Sequence, residues 1–469
     1  MATEATRNAT NSQNFQNQIQ TRTGWKVELL AKEEEGRVGA MGIASSFQNI
    51  KGLVLDLGGG SVQMTWMTAE DGNVQTSQKG SVSLPYGAAA LTMLLEEAGT
   101  EGQAELRREL IIKFKNAIED LEILQKLEYA SRNESGLALY LSGGGFRGWG
   151  YILMSLHALE AYPIPIINGF LVPISAFLPQ TKQTESISNS DSTFRISSRR
   201  ASQVPAITFL IRVLTQALPS ISSIRFAQGG VREGLLFSQL PSSVRAQSPL
   251  VIATLPYAPP SVIVLTRLLK SAIPYSGEHA NKLPPYLTSE SFLTSTIQLL
   301  NAHSHLPKDI RAAAALRSTT TGLLASTHGL VHEERALLAL VLCERWDGET
   351  SPTDADFLAK LQELVGQEGS WWAKYIGRLV QGLGDIFPAG LVRKEDDHGT
   401  LTIDLRWGIS EMGKRRGEEV LRVHIKVLRE DVDGSITMMK DTLEKLGKRK
   451  NWIGGKEGYG KRVEVNLSY

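Results

Sequence analysis

Hydrophobic and polar positions change period along the chain, and the changes divide it. Leu53, Val54 and Leu55 form a continuous apolar run ending on Asp56, and after Gly58, Gly59, Gly60 and Ser61 the residues Val62, Met64 and Trp66 alternate with Gln63 and Thr65. A solid run followed by period-two alternation predicts two strands, the second half-covered, joined by a glycine turn. Further strands are predicted at residues 27–30 and 137–141, and helices at about 4–20, 87–97 and 103–128. In the last of these Leu106, Leu110, Ile111, Phe114, Ile118, Leu121 and Leu124 recur every three or four residues, the stripe of a helix with one face on a sheet. Residues 1–175 therefore read as an α/β domain.

Residues 176–203 are rich in serine and poor in large apolar side chains, which predicts a flexible, solvated insertion. Its RISSRRAS portion could accept phosphate from a basophilic kinase, but a plain linker is the favoured reading. From 204 to 385 the pattern is nearly all helical, with apolar faces such as ITFLIRVLTQAL and WWAKYIGRLVQGL separated by Pro and Ser turns. Residues 386–469 return to mixed character, with strand-like LTIDLRW and VLRVHIKVL and a closing helix, and read as a small C-terminal α/β domain.

Composition narrows the function. A net charge of +1 over 469 residues gives no basic footprint for nucleic acid or anionic lipid. The single cysteine, Cys343, rules out an internal disulfide framework and, amid LALVLCERW, reads as core filler. The polar N-terminus lacks a secretory apolar stretch and no apolar run has membrane-spanning length. The expectation is a soluble, cytoplasmic protein with neither nucleic-acid nor membrane partners.

The glycine turn is the candidate chemistry. Without Cβ atoms, Gly58, Gly59 and Gly60 can take positive φ and turn their N–H groups, with that of Ser61, onto a phosphate. Asp56 at the strand end can hold a Mg²⁺ beside it. An ordinary hairpin turn stays open on these residues alone. A second loop, Gly143, Gly144 and Gly145 followed by Arg147, comes after a strand and opens a helix, where N–H groups and the helix dipole favour an anion. Tight strand and helix packing would explain the same glycines.

Rival motifs fail on their partners. Gly143, Gly145 and Gly148 satisfy the dinucleotide fingerprint, but no acid closes a second strand about 20 residues on. GGGFRG looks like a lipase oxyanion loop, yet no G-x-S-x-G elbow occurs. His328 with His332, and His303 with His305, have ligand-like spacing but no nearby Asp, and read as helix-surface or core histidines.

The succession ATEATRNATNSQNF, VELLAKEEEGRVGAMGIASSF, DLGGGS, SVSLPYGAAALT, LYLSGGGFRGWG and GGVREGLLF resembles, in that order, the exopolyphosphatase and guanosine-pentaphosphate phosphatase family. YLSGGGFRGWGYILMS with AYPIPIINGF resembles its fungal signalling branch. The resemblance implies an actin-like, ribonuclease-H-like ATPase fold. It puts Glu35 where the family carries its catalytic base, Asp56 at a Mg²⁺, and Gly143, Gly144, Gly145 and Arg147 on a phosphate or nucleotide facing the DLGGGS turn across an interdomain cleft.

The implied function is regulatory: sensing a phosphorylated metabolite or nucleotide and passing mitochondrial status to the nucleus through protein partners. The alternative is a Mg²⁺-dependent hydrolase of polyphosphate or pppGpp. Two departures from the family bear on it. Gln63 stands where the phosphatases usually have glutamate, and their first strand and acidic glycine-serine loop precede the ATEATR helix at which this sequence starts. The expectation is therefore a lobe lacking its first half, either a shortened form of a longer gene product or a fold completed by a partner or as a homodimer.

Overall fold

The computed structural model describes residues 1–2, 6–7, 9–123, 125–127, 136–177, 197–274, 283–392, 403–410, 420–427 and 433–468. The chain forms two units, the first of residues 1–160 with 167–247 and the second of 161–166 with 248–469. Most of the serine-rich stretch and Leu124 lie outside the described residues.

In the first unit helices α1 (Ser12–Thr23) and α2 (Lys32–Ala44) precede strands β1 (Ile50–Leu57), β2 (Val62–Glu70), β3 (Asn73–Thr76) and β4 (Val82–Leu84). Then come α3 (Ala88–Asp120), β5 (Leu137–Ser142), α4 (Gly143–Ser155), β6 (Leu171–Val172), α5 (Val204–Ala217), β7 (Ile221–Phe226) and α6 (Val231–Gln239). The sheet runs β3-β2-β1-β5-β7-β6, with β4 on β2. β2 is antiparallel to β1, β3 and β4, whereas β1, β5 and β7 are mutually parallel and the short β6 closes the edge antiparallel to β7. Three antiparallel strands continued by two parallel ones give the ribonuclease-H-like α/β sheet expected from the sequence.

Both faces of the sheet are covered, so β1 reads as a solid apolar run. One face carries Val54, Met67 and Tyr140 beneath Ala40, Ile43, Ala44 and Phe47 around α2. On the other lies α4, whose Gly145 and Gly150 bring its backbone against Leu57 and Phe226. β2 is not half-covered as its alternation predicts, because Thr65 is buried along with Met64, Trp66 and Met67. The expected strand at 27–30 reduces to one bridge between Ala2 and Leu29. The two helices expected at 87–97 and 103–128 form α3, broken at Gly99 (φ 60°), with Leu110, Phe114, Ile118 and Leu121 inward.

The boundary expected near 175 moves to 247. β7, hidden in sequence by its two serines within a helical stretch, pairs with β5 and ties residues 204–247 to the sheet. The second unit contains α7 (His332–Arg345), α8 (Pro352–Ile386, bent at Gly366), β8 (Ile403–Ser410), β9 (Val420–Val427), α9 (Asp433–Leu446) and β10 (Arg462–Ser468), with shorter helices before them. Its C-terminal piece is not a separate domain. Leu405, Val423, Ile425, Met439 and Val465 share one buried cluster with Leu338, Trp371, Trp372 and Tyr375.

Candidate functional site

β1 and β5 end side by side, with Asp56 in register with Ser142. Because Gly143 follows at once and starts α4, the two glycine turns are neighbours on one sheet. They do not face each other across an interdomain cleft, as the resemblance implied, since both lie in the first unit. The fit is close: a Cβ on Gly143 would lie 2.3 Å from Asp56 Oδ1 and 2.4 Å from the Leu57 carbonyl oxygen. Gly143 has φ +88°, whereas Gly58, Gly59 and Gly60 have no positive φ, so the positive φ expected of the first turn belongs to the second.

The first turn is shaped by a helix. Its carbonyls accept from the start of α3: Gly87 N–H to Gly60, Ala88 to Gly58, and Ala89 and Ala90 to Gly59. These bonds satisfy donors that a helix start leaves without intrahelical partners. A trans peptide sets each N–H opposite the preceding carbonyl, so the amides of Gly59 and Gly60 point away from α3, while Ser61 N packs against Gly87. Gly58 N–H is taken by the Ser61 carbonyl at 3.0 Å. The cradle is therefore narrower than four amides.

α4 offers the second set of donors. Gly143, Gly144 and Gly145 form its first turn, Ser142 is its N-cap without a side-chain cap bond, and a Cβ on Gly144 would meet nothing within 4 Å. Ser142 is buried and, among the described residues, its hydroxyl has no hydrogen-bond partner; nor has the buried Nε of Arg147. The turn after β7 shows the contrast. There Gly229 N–H donates to Ser46 Oγ at 3.0 Å, Gly230 N–H to Glu233 Oε2 at 3.0 Å and Gln228 N–H to Asn168 Oδ1 at 3.2 Å. That turn is satisfied internally, whereas at the α4 turn the Ser142 hydroxyl and the Arg147 Nε have no partner among the described residues.

Asp56 sits deep in protein with a sliver of solvent access. Burial pushes its pKa up, Ser142 pulls it down, the charge of Glu35 raises it and that of Arg147 lowers it. The Ser142 hydroxyl lies near enough for this influence but outside hydrogen-bond geometry. Glu35 is on the first turn of α2. It pairs with Arg7 at 3.0 Å, both side chains largely buried, while its neighbour Glu34 turns outward to an exposed pair with Arg37. The run of acids is thus a helix start whose members face different ways.

Sequence reasoning missed Arg7 and the glycine stripe of α2. Gly36, Gly39 and Gly42 recur every third residue on one helix face. Any Cβ there would approach Ser81 Oγ from Gly36, and the Gly230 carbonyl oxygen at 2.1 Å from Gly42, while Gly39 passes Asp56 Oδ2 at 3.8 Å. The stripe lets α2 lie close over the strand ends and against α6. Its signal, GRVGAMG, was visible as spacing without a partner.

Among the described residues no three His, Cys, Asp or Glu side chains converge on a metal position. His303 and His332 are buried, with Ser318 Oγ at 3.0 Å from His303 Nε2 and Tyr162 Oη at 2.8 Å from His332 Nδ1. They are core histidines in the second unit.

Residues 248–469 match the RTG2 C-terminal domain, and residues 1–243 the Ppx/GppA phosphatase family. Retrograde regulation protein 2 of Saccharomyces cerevisiae is 38% identical over 408 residues, 84% of this chain and 67% of that protein. A crystal structure of the Aquifex aeolicus Ppx/GppA family member overlaps 51% of this chain and 72% of its own at 20% identity and TM-score 0.37. An exopolyphosphatase from Cytophaga hutchinsonii does so over 51% and 74% at 16% identity and TM-score 0.36. Since the family match spans just over half of the sequence and the yeast relative most of it, the chain belongs to the Ppx/GppA phosphatase family, with its actin-like fold.

Proposed function

We propose that this protein is a phosphate- or nucleotide-sensing regulator in mitochondria-to-nucleus retrograde signalling, acting in the cytoplasm through protein partners. The observation that carries the reading is the α4 turn beside Asp56: first-turn amides, a buried Ser142 hydroxyl and a buried Arg147 Nε, the last two without acceptors or donors of their own. An oxyanion would satisfy all three. The kinship to Retrograde regulation protein 2 supports the signalling role.

The donor set suits a Mg²⁺ carried in on ligand phosphates. Asp56 would hold it alone or with Glu35, since Mg²⁺ takes one or two carboxylates and keeps its other positions for water and phosphate oxygens. When bound it would neutralise phosphate charge. The chain's own part is to seat the phosphate on the α4 turn, contact it through Arg147 and set the Gly59 and Gly60 amides opposite α3.

The Arg7 ion pair on Glu35, with Gln63 in place of an acid, favours binding over turnover. The second reading is a Mg²⁺-dependent phosphoanhydride hydrolase of polyphosphate or pppGpp. It is supported by Glu35 lying near enough to Asp56 to raise its pKa. Thermal shifts and phosphate release, measured together with ATP, GTP, pppGpp and polyphosphate in Mg²⁺, separate the two. Stabilisation without release is expected; release that disappears in Glu35→Gln would establish the hydrolase, and no stabilisation by any of them would sink both.

A further inference from the structure

Away from the Asp56 site the sheet carries a cleft of about 850 Å³, within the size range of small-molecule pockets. Its lining runs from the starts of β1, β5 and β7 to the far end of the β2–β3 hairpin, and includes neither Asp56 nor Ser142 nor the Gly58–Ser61 turn. Arg225, in register with Tyr140, stands in this cleft.

We propose that the cleft is a second oxyanion site, for a small molecule bearing a phosphate or carboxylate, with Arg225 as its cation. The guanidinium lies 5.6 Å from the centroid of the Tyr140 ring, and its Nε is buried without a partner among the described residues. Arg225 as a whole is only partly buried, so the cation borders the cleft. A cation with one buried, unpaired donor gains from an oxyanion that completes it. A packing role would need only its stem and the stacked face.

The neighbours are suited to a hydrogen-bonding anion. Asn49, Thr68, Asn73, Gln75 and Ser223 supply neutral polar groups along the lining. Glu70 and Asp71 also line it, but both are exposed at the hairpin tip, where Asp71 takes φ +49°, and Lys51 is exposed among the lining residues too. The cation held on the strand is therefore the group placed to choose the ligand. Tyr140 lies two residues before Ser142 on the same face of β5, so the two sites share one strand without sharing a lining.

Phenylglyoxal labelling of the whole chain, mapped by mass spectrometry, tests this, with pyrophosphate and citrate as separate protecting anions. Arg225 is expected to label, and at least one anion to slow its labelling about tenfold; which one does so tells phosphate from carboxylate. The protection should persist in Arg147→Gln, which disables the first site, and Arg225→Gln should remove one pyrophosphate site in calorimetry. Labelling of Arg225 that neither anion slows, or protection that vanishes in Arg147→Gln, overturns the second site and leaves the first untouched. Absence of protection at Arg147 with protection kept at Arg225 would do the reverse.

Discussion

Gly143 stands against Asp56 so closely that a methyl group on its Cα would come within 2.3 Å of the carboxylate oxygen. The strand end and the helix start are built as one object, and the next residue is not part of that constraint.

Substituting the two glycines separates geometry from chemistry. Gly143→Ala adds a clash with Asp56 to a φ of +88°, and is expected to cost about 2–4 kcal/mol and to abolish ligand stabilisation. Gly144→Ala meets open space at a helical position, keeps the N–H, and should stabilise by about 0.5–1 kcal/mol with binding retained. Urea unfolding and thermal shift with ATP and Mg²⁺ read both; equal losses in the two variants would contradict the assignment.

Asp56 sets a pH dependence of definite sign. Its pKa is raised above the ordinary 3.8, mainly by burial, so between that value and its folded value the native state holds the extra proton. Stability contributed by this group therefore falls as pH rises through that window, and burying the carboxyl is a net burden above it. Asp56→Asn should flatten the decline and raise the melting temperature at pH 7 by about 2–4 °C per kcal/mol recovered, while losing the Mg²⁺-dependent part of ligand binding. A variant less stable than wild type at pH 7 would contradict the argument.

The α2 stripe makes a contrast three residues apart. Gly42→Ala drives a Cβ to 2.1 Å from the Gly230 carbonyl oxygen and should cost about 2 kcal/mol or more, because backbone cannot swing aside. Gly39→Ala finds its nearest atoms at 3.8 and 4.0 Å, and the gain in helix propensity should leave it neutral or slightly stabilised. Denaturant midpoints of the two variants decide the matter.

His303 provides a marker for the second unit. Burial, with the charge of His305 beside it, lowers its pKa from the ordinary 6.5 to about 4. The unfolded chain binds the proton first, so stability from this group is present above 6.5 and is lost as pH falls toward 4. Melting temperatures from pH 7 to 4.5 should fall more steeply for wild type than for His303→Asn; parallel slopes would show that His303 is not desolvated.

Much of this was legible because it depended on local periods. β1, the glycine turn, β2 and the β5–α4 junction follow from apolar runs punctuated by glycine. β7 was not legible, since two serines interrupt its apolar run and only pairing with β5 makes ISSIRF a strand. Arg7 pairs with a residue 28 positions away, and the glycines of α2 serve a neighbour nearly 200 residues on, relationships that no short window contains. The spacing of acids at residues 33–35 likewise gave no hint that Glu34 and Glu35 would turn apart.

The peptides between Gly58 and Ser61 are gripped by their carbonyl edges at the head of α3. Whatever rotates those planes by tugging their amide edges must also loosen or tighten the first coil of a rod that reaches Asp120 and hinges at Gly99. A ligand drawing on those amides would therefore pull on the start of that helix.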